Sequence, residues 1–68
     1  MIDKTTDPQE AIEIAIKRER EAYEFYSAHA RLFENEATKK MFEFLAAEEK
    51  KHELRLQEEL DNFHMPEM

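Results

Sequence analysis

The apolar residues of this chain recur every three or four positions in two stretches separated by a short polar break. In the first stretch the repeating positions are Ile12, Ile16, Tyr23, Tyr26, Ala30 and Phe33. In the second stretch they are Phe42, Leu45, Leu56, Leu60 and Phe63, with Met41 beside them. This spacing is typical of amphipathic helices, so the pattern predicts one helix at residues 8–33 and another at residues 36–63.

Local signals support the starts of both predicted helices. Asp7, Pro8 and Glu10 provide, in this order, a capping carboxylate, a proline for the first helical position and a capping-box glutamate. Asn35 stands where it can cap the second helix. Glycine is absent and only two prolines occur, which favours long helices and gives no support to strands.

The break between the two patterns is too short for any connection except a hairpin turn, so we predict antiparallel helices. The chain is then one all-α helical-hairpin domain, residues 1–68, with frayed ends at residues 1–6 and 65–68. A hairpin with two apolar faces cannot bury both of them alone. We therefore expect homodimerisation into a four-helix bundle, with larger homo-oligomers as a further option.

Three ligand-type residues fill the gaps in the two apolar patterns: Glu19 in the first, and Glu49 and His52 in the second. Pairing the helices around the break places Glu19 opposite residue 50, between the other two. Because an α-helix rises about 1.5 Å per residue, all three side chains should lie at one level of the hairpin.

A charged or imidazole group facing a core is costly unless something compensates it. Glutamate on one helix with Glu-x-x-His on the next is also the ligand pattern of a carboxylate-bridged two-metal site. In a homodimer, two copies of Glu19, Glu49 and His52 would neutralise two divalent ions. Mostly oxygen ligation with one nitrogen per metal favours iron or manganese over zinc. The competing interpretation is a polar structural layer that binds no metal.

Two further residues are candidates for a supporting role around these ligands. Tyr26 follows Glu19 by seven residues and points the same way, so its hydroxyl could hydrogen-bond a metal-bound carboxylate, although packing is the simpler role. Glu48 is rotated about 100° from Glu49 and falls at the edge of the apolar face.

Other histidines are not expected to join the site. His29 lies ten residues beyond Glu19, roughly 15 Å along the helix axis. Asp61 and His64 repeat the i, i+3 spacing near the chain end, and we interpret them as a chance occurrence.

The amino-acid composition of the chain excludes several classes of binding partner. The net charge of −7 argues against nucleic acid, because phosphate binding needs a basic face. Without cysteine there is neither a disulfide nor a thiolate-bound metal. No stretch approaches the roughly 18 apolar residues of a membrane span, and no signal peptide is recognisable, so we expect a cytoplasmic protein that does not enter membranes.

The candidate residues stand in motifs that resemble the ferritin-like superfamily, and specifically its rubrerythrin group. The first-helix pattern of that group is matched by Glu19, Ala22 and Tyr26. Its second-helix pattern is matched by the letters AEEKKH at residues 47–52. The resemblance extends over residues 8–63 and covers nearly the whole chain.

The chain also departs from that group. Rubrerythrins carry four bundle helices in one chain and a cysteine-bound rubredoxin domain, whereas this sequence matches only the first helix pair and has no cysteine. The thirty-residue separation of Glu19 and Glu49 is similar to that of encapsulated ferritins, two-helix proteins with a di-iron site between subunits. No encapsulin-docking tail is recognisable after Phe63, so residence in a nanocompartment is unsupported.

The resemblance implies a non-haem di-iron carboxylate protein that oxidises Fe(II) with oxygen or peroxide, as a ferroxidase or a peroxidase-like oxidoreductase. Glu19 and Glu49 would bind and bridge the metals, and His52 would cap one metal per chain, giving two iron ions per dimer, with manganese or zinc as alternatives. Two other hypotheses stay open. One is a non-catalytic helical dimerisation or scaffold module with a polar core layer, and the other is pairing with a different half-bundle chain.

Overall fold

The computed structural model describes residues 7–64, apart from the side chain of His64. Two helices account for most of this segment: α1 at Pro8–Ala30 and α2 at Glu36–His64. They pack against each other as an antiparallel hairpin, and the described segment contains no strand. The predicted all-α hairpin is therefore confirmed. The frayed ends predicted at residues 1–6 and 65–68 lie outside the described residues.

Both helix starts carry side-chain caps. The Asp7 carboxylate accepts a hydrogen bond from the backbone N–H of Glu10 at 3.3 Å, and Pro8 occupies the first helical position of α1. The Asn35 side-chain oxygen accepts one from the backbone N–H of Thr38 at 2.9 Å. Each cap satisfies an amide that has no partner inside its own helix.

The first helix ends three residues earlier than its apolar pattern predicts. The backbone N–H of Leu32 donates to the carbonyl of His29 at 3.0 Å, which closes a tight last turn after Ala30. Phe33 nevertheless packs inward from the connecting segment, with its ring 4.9 Å from that of Phe42. Phe33 fits the apolar pattern because its side chain packs inward, although its backbone is not helical. The predicted helix end at residue 33 was therefore wrong.

The core of the hairpin is thin. Within residues 7–63, only Ile16, Ala30 and Ala46 are buried. No large side chain in that segment is fully enclosed. The other apolar positions of the two patterns are mostly half-buried, as expected when one layer of two helices has no second layer to cover it.

Several large apolar side chains remain exposed on this single hairpin. Phe63 and Met41, which belong to or adjoin the second apolar pattern, are 49% and 56% exposed. Neither helix combines the length and the apolar character needed to cross a membrane. A hairpin with this much uncovered apolar surface would gain free energy from packing against another protein surface.

Candidate metal centre

Glu19 reaches the space between the helices from α1. It lies three residues after the buried Ile16, so both side chains are on the side of α1 that faces α2. The Glu19 side chain is 25% exposed. Its Oε2 atom is shielded from solvent and accepts no hydrogen bond from the described residues. A shielded carboxylate oxygen without a donor is costly, and a bound cation would compensate it.

The second helix supplies the other two candidates at the same level. His52 Nδ1 lies 3.4 Å from Glu19 Oε2 and 3.8 Å from Glu49 Oε2. Their i, i+3 spacing places Glu49 and His52 on one side of α2, as expected for residues nearly one helical turn apart. The structure therefore brings together all three residues that the sequence pattern singles out, although their role as metal ligands stays a prediction.

The donor set fits a divalent ion. One ligand atom from each of Glu19, Glu49 and His52 can be chosen so that all three lie within 4.8 Å of one another. Two ligands on opposite sides of one ion are about 4 Å apart when each bond is about 2.1 Å, so small side-chain rotations would close the set. Two carboxylates and one imidazole suit iron or manganese.

The candidate site opens to one side of the hairpin. Glu49 has a 16% exposed side chain, whereas His52 is 46% exposed. The imidazole of His52 is therefore the most exposed of the three candidate ligands.

The two residues considered for support contact other groups. Tyr26 packs edge-to-face on Phe42, with ring centroids 5.8 Å apart, and no hydrogen bond of its hydroxyl is found within residues 7–64. Glu48 forms an ion pair with Lys51 at 3.3 Å along the same helix. Within residues 7–64, no hydrogen bond or ion pair joins either residue to the three candidate ligands.

The remaining histidine and acid candidates stay apart from this cluster. His29 forms a hydrogen bond between its Nδ1 atom and the carbonyl of Phe25 at 2.8 Å, and its ring stacks on Phe25 at 4.2 Å. Asp61 accepts a hydrogen bond from Gln57 at 3.1 Å. The side chain of His64, the other member of the Asp61 pair, lies outside the described residues, and the expectation that these residues do not bind metal stays a prediction.

An ion pair between Arg20 and Glu53 lies beside the site, and our sequence reasoning missed it. Arg20 Nε donates to Glu53 Oε2 at 2.7 Å across the two helices. This hydrogen bond from Arg20 holds the pKa of the Glu53 carboxyl below its ordinary value, against the opposing effect of desolvation. Glu53 could have been noticed, because it follows Glu49 by one helical turn.

A groove of about 520 Å³ runs between the helices elsewhere on the hairpin. Its floor includes Ala30 and Ala46, and Lys39 and Lys50 lie along it. None of the three candidate ligands lines this groove. The candidate metal centre is therefore a separate feature of the surface.

The comparison with protein families agrees with the ligand pattern. The family model of rubrerythrin matches residues 1–60, which is most of the 68-residue chain. The chain belongs to the rubrerythrin family. No curated protein and no solved structure matches it significantly. Membership of the rubrerythrin family indicates a di-iron carboxylate protein, and the Glu19, Glu49 and His52 cluster is a group that can bind metal.

Proposed function

We propose that this protein is a di-iron ferroxidase whose metal centre forms between two copies of the chain. The observation that carries the proposal is the convergence of Glu19, Glu49 and His52 within 4.8 Å, with a shielded Glu19 oxygen that lacks a hydrogen-bond donor. These are the groups expected to receive a cation. They stand at matching levels of two helices in a chain of the rubrerythrin family.

The number of ligands in one hairpin is the reason for proposing a second copy of the chain. Ferritin-like di-iron centres take one glutamate from each of two helices and a Glu-x-x-His pair from each of two others. This hairpin supplies half of that set, with Glu19 on α1 and the Glu49–His52 pair on α2. A twofold-symmetric partner would supply the other half and cover the exposed His52 ring.

Charge balance supports the same assembly. Two copies bring four carboxylates from Glu19 and Glu49, which match the charge of two divalent ions when His52 is neutral. Four carboxylates enclosed without cations would repel one another and lose hydration. The centre is thus expected to take up two ions per dimer, one for each chain.

Each side chain has a defined task in this proposal. Glu19 and Glu49 would hold the ions through their carboxylates, and His52 would bind through Nδ1, the ring nitrogen that faces both carboxylates. Bound iron supplies one-electron redox chemistry and open coordination positions for the oxidant. In the proposed dimer, the helices of both copies would hold the ligands in place and limit the access of water.

The reaction class is oxidation of Fe(II) as substrate. Oxidation of two Fe(II) ions releases two electrons, which with two protons convert O₂ to hydrogen peroxide or hydrogen peroxide to two water molecules. A complete peroxidase cycle would also need an electron donor. The proposal is therefore limited to oxidation of iron, in which Fe(II) itself supplies the electrons.

The test is anaerobic loading with Fe(II), followed by exposure to oxygen or peroxide. We expect about one iron per chain after removal of loose metal, and a rise in Fe(III) absorbance faster than in protein-free buffer. Competition with Mn(II) and Zn(II) would establish which ion the centre prefers. Iron content near zero would overturn the proposal.

Glu49→Ala is the variant that tests whether iron binds at this site, because it removes a carboxylate with little exposure and leaves the helix intact. It should abolish both iron binding and accelerated oxidation. If the chain were a scaffold with a polar layer, wild type and variant would both bind no iron, and the variant would form the more stable dimer.

A further inference from the structure

The contacts beside the proposed metal centre form a link between the helices. Arg20 of α1 binds Glu53 of α2 at 2.7 Å. Lys50 of α2 lies over the Tyr23 ring of α1 at 4.3 Å from its centroid, and its Nζ atom is 3.8 Å from Glu53 Oε1. We call these four residues the interhelical clamp. It joins the two helices by two contacts, Arg20–Glu53 and Lys50–Tyr23, which the ion pair between Lys50 and Glu53 connects within α2.

The clamp and the candidate ligands occupy adjacent positions on both helices. Arg20 follows Glu19 in the sequence, and Glu53 follows His52. Consecutive residues of an α-helix are separated by about 100° of rotation and about 1.5 Å along the axis. The clamp contact and the Glu19–His52 contact therefore lie at one level, on different sides of each helix.

This arrangement couples the rotation of each helix to the position of its ligand. A carboxylate about 6 Å from the helix axis moves by about 2 Å when the helix turns by about 20°. Metal sites need their ligands within about 0.5 Å of the productive geometry. A contact that restrains rotation of α1 and α2 at the level of Glu19 and His52 would therefore also restrain the ligand positions.

We propose that Arg20 and Glu53 are positioning residues, whose ion pair sets the rotation of the two helices that aligns Glu19 with His52 for metal binding. The inference rests on the proposed function of the site. The Arg20 side chain is 60% exposed and that of Glu53 is 17% exposed, so the pair also contributes to stability, and metal binding rather than stability is the measurement that separates the two roles. The positioning role requires only that the ion pair favours one rotation of each helix about its axis over slightly different rotations.

The contrast with Lys51 and Glu48 sharpens the proposal. Lys51 is the other sequence neighbour of His52, and its ion pair with Glu48 lies within α2 at 3.3 Å. An ion pair within one helix does not link α2 to α1. Lys51→Gln is therefore a matched control that removes one basic charge next to His52 and leaves the interhelical clamp unchanged.

The test is titration of the full chain with Co(II), a probe ion whose visible spectrum reports the number and geometry of its ligands. The variants are Arg20→Gln, Glu53→Gln and the reversed pair Arg20→Glu with Glu53→Arg. We expect each single variant to bind Co(II) about 10–100-fold more weakly, with a changed spectrum. Wild-type affinity and spectrum should be kept by Lys51→Gln and largely recovered by the reversed pair.

Two results would overturn the positioning role alone: single variants that bind Co(II) like Lys51→Gln, or a folded reversed pair that binds no better than the single variants. Circular dichroism shows whether a single variant has lost its helices. If one has, Co(II) binding by the reversed pair tests the positioning role instead. Failure of the wild type to bind Co(II) or Fe(II) would instead remove the proposed function, and this inference with it.

Discussion

His52 Nδ1 lies 3.4 Å from Glu19 Oε2 across the two helices, yet that oxygen accepts no hydrogen bond from residues 7–64. The two atoms approach each other without the alignment that a hydrogen bond requires. A cation placed between His52 Nδ1 and Glu19 Oε2 could bind to both atoms. Together with Glu49, the two residues form a group that could hold a metal ion.

Glu19→Leu should stabilise the metal-free protein and remove its response to iron. The substitution exchanges a shielded carboxylate without a donor for an apolar group of equal helix propensity, so unfolding free energy should rise by about 1 kcal/mol. Thermal unfolding with and without Fe(II) measures both effects. Glu24→Leu, at an exposed position of α1, is the control and should change little. A clear loss of stability in Glu19→Leu would support the polar structural layer.

Assembly should depend on the apolar surface around the ligands. Leu45 is half-buried and precedes Glu49 by one turn, so Leu45→Arg would place a charge in the proposed interface. We expect this variant to be monomeric at concentrations where the wild type is dimeric, as measured by sedimentation or light scattering. Glu58→Arg introduces the same side chain at an exposed acidic position of α2 and should leave the dimer intact. A wild type that stays monomeric at high concentration would exclude the dimer.

The Arg20–Glu53 pair predicts a specific pH dependence of stability. The folded-state pKa of Glu53 lies below the ordinary value of 4.5, so the unfolded chain takes up the proton first as the pH falls. The contribution of the pair is therefore complete above that value and is lost as the pH falls through the folded-state pKa. The stability difference between wild type and Glu53→Gln, measured by urea unfolding of metal-free protein, should shrink over this range. In an Arg20→Gln background the difference should depend much less on pH.

Loss of the cap on α2 should weaken the whole hairpin. The Asn35 side chain satisfies the Thr38 amide at 2.9 Å, and replacement of such a cap by alanine costs about 1 kcal/mol. Denaturant unfolding of Asn35→Ala should show this decrease. Glu34→Ala, at the adjacent exposed residue of the connecting segment, is the control. Equal effects of the two substitutions would mean that the side-chain cap contributes nothing measurable.

Much of the fold follows from local rules that act on neighbouring residues. Helical periodicity and the capping residues Asp7 and Asn35 correctly predict two helices and their starts. The predicted end of α1 fails at Phe33, because periodicity records which side chain is buried and not which backbone is helical. The level of the candidate site is predicted well. Glu19 was expected opposite residue 50 and contacts His52, which is half a turn further on.

The amino-acid sequence by itself determined the two helices, the antiparallel hairpin and the set of Glu19, Glu49 and His52, because spacing along a helix decides which residues share a side. Only the tertiary structure decided that Arg20 meets Glu53 and that His52 is left 46% exposed. Both depend on the relative rotation of two packed helices. That rotation is decided by side chains from distant parts of the chain, and no periodicity within one helix encodes it.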